Sequence, residues 1–221
     1  MQRWIFLLAA CGGGAAPTTT SPAPPPPQHH HEPLGHRFQN AEHWAKIFDE
    51  PGRDEWQKPD RVVELLALKP GMTVVDLGAG TGYFENRLSA AVGSGGKVIA
   101  VDVEPDMVRY LGDRATKEGT TNVEPRLADA DDPHLAAVDR ILIVDTWHHV
   151  PDRITYAQKL KAALKPGGFV LVVDFNRTSK RGPPPEHRLA DDQVISELSQ
   201  GGLRATTVAT LPDQYVVKGV L

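Results

Sequence analysis

The run VVDLGAGTGYF at residues 74–84 constrains this chain more than any other stretch. A short apolar segment carrying Asp76 meets three glycines on alternate positions, Gly78, Gly80 and Gly82, and residues 83–91 continue with helical character. An unalternating apolar run belongs to a strand covered on both faces. Strand, tight turn and helix start in direct succession form the first half of a β–α–β unit. Glycine is required where backbone bends sharply or approaches a ligand with no Cβ in the way. The helix opening behind the turn directs free N–H groups at the same point.

Similar units recur downstream. Apolar runs at residues 97–102, 138–145 and 169–174 each end in an acid, while the run at 122–127 contains Pro125, which suits an outer strand. Helices are expected at 40–49, from Pro59 (Val62, Val63, Leu65 and Leu66 inward), at 105–117 (Met107, Val108, Tyr110 and Leu111 buried), and at 191–199. Another follows the cap Asp152, with Ile154, Ala157, Leu160 and Leu164 inward. LKPGG at 164–168 reads as a helix stop and turn, and residues 203–211 and 214–220 as a closing hairpin.

A dinucleotide fingerprint needs G-x-G-x-x-G, but Tyr83 stands three residues after Gly80. Asp76 ahead of the turn would oppose a diphosphate and suits a cationic ligand. The D-x-G-x-G-x-G arrangement resembles motif I of class I S-adenosylmethionine (SAM)-dependent methyltransferases, whose cofactor carries an ammonium and a sulfonium. LKPGG before an apolar strand, and the aromatic–His–His run Trp147, His148, His149, are similar to the same family. From Pro59 onward the chain resembles its small-molecule members of the ubiquinone/menaquinone-biosynthesis type. The arsenite-methylating relatives need several thiolates, and this domain has none.

That resemblance implies an α/β, Rossmann-like, seven-stranded, mostly parallel sheet with an antiparallel last strand and helices on both faces. It also implies a SAM site built from Asp76, Gly78, Ala79, Gly80 and Gly82. Asp102 would accept both ribose hydroxyls, with Val103 flanking the adenine. Asp129 would take the adenine amino group, with the Ala130 N–H beside it. Backbone near Asp145 would meet the cofactor's amino group, and His148 and His149 would sit near the methyl. A neutral hydroxyl or amine acceptor needs a proton acceptor, and His148 or His149 is the candidate. Trp56 either lines the pocket or packs on the sheet flank, and residues 177–188 form either a substrate lid or a surface loop.

Leu8-Ala9-Ala10-Cys11, behind Arg3 and a short apolar stretch, resembles the lipobox of bacterial lipoproteins, which implies lipidation at Cys11 and a place in the cell envelope. Residues 12–35, rich in Gly, Pro and His, cannot build a core and read as a tether, leaving 36–221 for the folded domain. Without export the protein would be cytoplasmic. His29, His30, His31 and His36 read as part of that polar linker, so no metal site is expected. A net charge of −4 offers no footprint for nucleic acid, so the expected partners are a small methyl acceptor and, through the lipid, a membrane. The competing reading is a tethered SAM-binding module without turnover, because SAM is made in the cytoplasm. A nicotinamide oxidoreductase is disfavoured by the failed glycine spacing.

Overall fold

The computed structural model describes Met1 and residues 38–221. The lipobox-like run, Cys11 and the tether lie outside the described residues. Seven strands form one sheet in the order β3-β2-β1-β4-β5-β7-β6. They are β1 (Thr73–Leu77), β2 (Lys97–Asp102), β3 (Val123–Leu127), β4 (Val138–Val144), β5 (Leu164–Phe175), β6 (Arg204–Thr210) and β7 (Gln214–Val220). The first five are mutually parallel, and β7 runs antiparallel to both β5 and β6. This is the architecture expected from the resemblance, with Pro125 on the outer strand β3, where a missing donor costs least.

The helices are α1 (Ala41–Phe48), α2 (Arg53–Gln57), α3 (Pro59–Leu65), α4 (Glu85–Val92), α5 (Pro105–Glu118), α6 (Arg153–Ala163) and α7 (Asp191–Gln200). Two cores divide the sheet faces. Val62, Leu66, Leu88 and Val92 cover one face through Val74, Val98, Leu142 and Leu171. Tyr156, Ala157, Leu160, Val194 and Leu198 cover the other through Val75, Ile99, Ile141 and Val172. Alternation along β5 sends 170 and 172 to one core and 169, 171 and 173 to the other, so the strand is apolar throughout.

Some boundaries differ from the sequence reading. Helix α4 begins at Glu85 because the turn continues through Phe84. LKPGG lies inside β5 as an irregularity: Val138 pairs with Leu164, and Arg140 pairs next with Phe169. In α5 the deepest positions are Met107 and Leu111, one i,i+4 pair. In α6 the buried face carries Arg153 and Tyr156 in place of Ile154, because Arg153 has a buried carboxylate partner on α7. Asp152 caps α6 as expected, its carboxylate accepting from the Thr155 N–H. No described helix is long and apolar enough to cross a membrane.

Candidate functional site

Strands β1, β2 and β4 all end at the same sheet edge, and the glycine turn leaves β1 there. Gly78 has φ +77°, and its N–H and that of Ala79 donate to the Val101 carbonyl at 2.8 and 3.0 Å. A Cβ on Gly78 would lie 2.3 Å from Thr146 Oγ1, so the glycine turn and the turn after β4 are in direct contact. Gly82, at φ +85°, leaves room for Leu111 of α5, which a Cβ would meet at 2.9 Å. Only glycine accepts both the left-handed backbone and the close neighbour at these positions.

Asp102 closes β2 as the sequence suggests. Its Oδ2 accepts the Gly80 N–H at 2.8 Å and its Oδ1 the Glu104 N–H at 2.9 Å. Each oxygen keeps a second lone pair, so both remain able to accept hydroxyls. Burial raises the Asp102 pKa, and the N–H donors of Glu104, Gly80 and Val103 oppose that rise. Val103 stands half exposed beside it, an apolar surface at the mouth of the turn.

The same edge is crowded with acids. Asp76, Glu85, Asp102 and Asp174 are all buried. Burial pushes the Asp76 carboxyl up to about 7, against the pull of Arg53, and Glu85 well above the carboxylate range. Arg53 acts on Asp76 from α2. Its guanidinium stacks on the Tyr83 ring at 3.9 Å, donates to the Phe48 carbonyl at 2.6 Å, and lies 4.0 Å from Asp145. Asp145 itself has φ +52°. Its Oδ1 accepts from Gln214 at 2.6 Å, and Gln214 Oε1 in turn accepts from Gln57 at 2.6 Å. Burial and the Asp174 charge raise Asp145 to about 7.

Residues Trp147–His149 form a 3-10 turn. His148 is buried, and its Nδ1 lies 2.9 and 3.0 Å from the two oxygens of Asp174, the last acid of β5. An Nδ1–H donated to that carboxylate leaves Nε2 as the basic nitrogen. Burial disfavours the imidazolium, but Asp174 and Asp145 outweigh it, and the His148 pKa is raised overall. Trp147 holds the turn from behind: its Nε1 donates to Glu197 at 3.0 Å, and Arg153 donates to the same oxygen at 2.9 Å. His149 is half-buried against His148, with ring centroids 4.2 Å apart, and meets the edge of Phe38 at 5.7 Å.

Helix α1 roofs this edge. Phe48 lies 3.7 Å from where a Gly80 Cβ would stand and stacks on Trp44 at 5.3 Å. The helix is tied to α5 by the Ala41 N–H to Asp106 at 2.7 Å and by Glu42 to Arg109, also 2.7 Å. Near its end, Asp49 pairs with Arg114 at 2.8 Å and accepts from Thr81 at 3.2 Å.

Other expected residues stand beside this cluster, where the Ala128 N–H donates to the Asp102 carbonyl at 3.0 Å and Arg53 lies 5.8 Å from the Trp56 ring. Asp129 is 74% exposed in its side chain and bonded to His134 at 2.8 Å, and Ala130 is exposed beside it. Its short loop closes on itself through Asp129 and Asp132. The Trp56 ring lies 5.6 Å from that of Phe175, the last residue of β5. Residues 177–188 wrap the buried Arg188, whose guanidinium donates to the carbonyls of Arg177, Ser179, Arg181 and Pro183. The segment is braced from within.

Residues 68–209 match the family described as methyltransferase domain. This chain belongs to that methyltransferase domain family. It is similar to a solved SAM-dependent methyltransferase from Aquifex aeolicus, with TM-score 0.74, 32% identity, and cover of 79% of this chain and 95% of that one. It is also similar to the ubiquinone/menaquinone biosynthesis C-methyltransferase UbiE of Hydrogenovibrio crunogenus, 29% identical over 57% of this chain and 50% of that one. The Ectopseudomonas mendocina protein of the same name is 27% identical over 72% of this chain and 66% of its own length. The chain thus spans about half to two thirds of these curated relatives.

The cluster contains residues that sequence reasoning missed. Asp174 carried a signal, because it ends an apolar strand in the same way as Asp102 does. Glu85, two residues beyond Tyr83, carried no signal that separates it from any acid in a helix's first turn. Arg53, Gln57 and Gln214 carried no local signal, since α2 and β7 meet only in three dimensions.

Proposed function

We propose that this protein transfers the methyl group of SAM to a small-molecule acceptor, and that His148 removes the acceptor's proton. The observation that carries the reading is the buried His148–Asp174 pair, on a turn that touches the glycine turn through Thr146 and Gly78. Several buried acids, with the nearby guanidinium of Arg114 committed to Asp49 and Glu118 and that of Arg53 to Phe48 and Gln57, suit a cofactor with two positive centres. The fit extends to Asp102, which has lone pairs to spare for a ribose diol, and to the apolar face of Val103.

When bound, SAM supplies a methyl group on a sulfonium, already activated toward nucleophiles. The chain's own task is alignment and proton removal. Asp174 fixes the His148 tautomer and stabilises the imidazolium that forms. His148 Nε2 accepts a proton from a hydroxyl or amine. Loss of a ring hydroxyl's proton also enriches the neighbouring ring carbons, so the same base serves oxygen, nitrogen or carbon methylation. The names of the UbiE relatives favour a small ring acceptor.

The test uses the full chain with methyl-labelled SAM and a small-molecule extract. Labelled product is expected, falling by about 10²–10⁴-fold in His148→Gln and Asp174→Asn with SAM affinity retained. SAM binding with no labelled product would favour the non-catalytic module instead. Wild-type turnover in both variants would refute the base. We further propose a lipid anchor at Cys11, on the strength of the Leu8–Cys11 run and the absence of any other cysteine. Diacylglycerol on the mature N-terminal peptide by mass spectrometry would support it, and an unmodified cysteine would exclude it.

A further inference from the structure

Glu85 opens helix α4 directly behind the glycine turn, yet it points inward and is buried. Neither of its carboxyl oxygens has a hydrogen-bond partner. A Cβ on Gly82 would sit 3.3 Å from Glu85 Oε2, so the carboxyl lies under the turn itself. It faces Asp76 of β1, which is also buried. The charged groups around the two acids come from three further elements: Arg53 of α2, Asp102 of β2 and Arg114 of α5. Arg114 is committed to Asp49, Glu118 and the Thr81 carbonyl, and Arg53 to Phe48 and Gln57. Among the described residues neither Asp76 nor Glu85 forms an ion pair.

Two buried carboxyls facing each other without a paired cation cannot both ionise at modest cost. They titrate as a unit, and the pair favours a state with one proton between them. A cation placed at the mouth of the turn removes the reason for keeping that proton. We propose that Asp76 and Glu85 share one proton in the cofactor-free protein and release it when the ammonium of the cofactor arrives, which makes Glu85 a positioning residue of the cofactor site. The inference rests on the SAM reading above. Burial raises both carboxyls, in keeping with a retained proton near neutral pH.

The experiment is titration calorimetry of the full chain with S-adenosylhomocysteine, in phosphate and in Tris, from pH 6 to pH 8. The difference in heat between the two buffers counts protons released. The wild type is expected to release roughly 0.5–1 proton, with affinity rising about three- to tenfold per pH unit over that range. Glu85→Gln is expected to bind with neither release nor slope, while His148→Gln keeps both. Methylthioadenosine, which lacks the amino-acid part, is expected to bind the wild type without release, a result that needs no variant to fold. Binding of S-adenosylhomocysteine without proton release overturns this inference alone, as does release that disappears with His148→Gln. No binding of either nucleoside overturns the cofactor reading beneath it.

Discussion

Gly78→Ala probes the contact on which the site depends. Two costs add. At φ +77° a Cβ carries a left-handed penalty of about 1–2 kcal/mol. The new methyl would also stand 2.3 Å from Thr146 Oγ1 and 2.4 Å from its Cγ2, far inside van der Waals contact. Thr146 is held by its hydroxyl's 2.8 Å bond to the Val144 carbonyl, so it cannot simply rotate away without losing that partner. Overpacking of this kind costs roughly 1–3 kcal/mol. Urea denaturation should therefore show a loss of roughly 2–5 kcal/mol for Gly78→Ala. The steric part should shrink with Thr146→Gly, since the three nearest atoms belong to the Thr146 side chain. A double-mutant cycle should thus return a coupling of about 1–3 kcal/mol, with the backbone part remaining. Because Thr146 leads into the turn that carries His148, Gly78→Ala should also lower turnover more than stability alone explains. A loss under about 0.5 kcal/mol, or a coupling near zero, would refute the claim that these two turns are locked together.

Two further outcomes follow from the same cluster. Asp145 has a folded-state pKa of about 7 against an ordinary 3.8, so its contribution to stability is full below about pH 4 and lost as pH rises through about 7. Asp145→Asn keeps an acceptor for Gln214, suits φ +52°, and should raise the melting temperature at pH 8, by on the order of 1–3 kcal/mol in stability, with little effect at pH 4; calorimetry showing destabilisation at pH 8 would contradict it. Arg188→Met removes the guanidinium around which residues 177–188 are wound, so limited proteolysis should cut that loop several-fold faster while the melting temperature changes little. An unchanged cleavage rate would mean that the loop is held by something else.

Much of the sheet was legible because local pattern and global role agree. The runs 97–102, 138–145 and 169–174 are apolar through both faces, and a strand with that composition has nowhere to go but the middle of a covered sheet. The glycines at 78, 80 and 82 likewise declare a turn by their missing side chains. Asp102 could be placed because its position at a strand end is a one-dimensional property. Ile154 was misplaced for the opposite reason: helical spacing assigns Arg153 to solvent unless Glu197, on another helix, is known to lie beneath it.

His148 and His149 are indistinguishable in the sequence, adjacent and equally polar. Tertiary structure separates them, because Asp174 meets only the first and Phe38 packs on the second. The ring of Arg53, Gln57, Gln214 and Asp145 joins segments up to 157 residues apart, and no spacing rule reaches that far. The sequence alone determined the sheet, the glycine turn and the two acids beside it, since these follow from residue type and order. Which histidine is paired with a buried carboxylate, and that Glu85 turns inward against Asp76, was decided by packing, because burial and pairing are properties of neighbours in space.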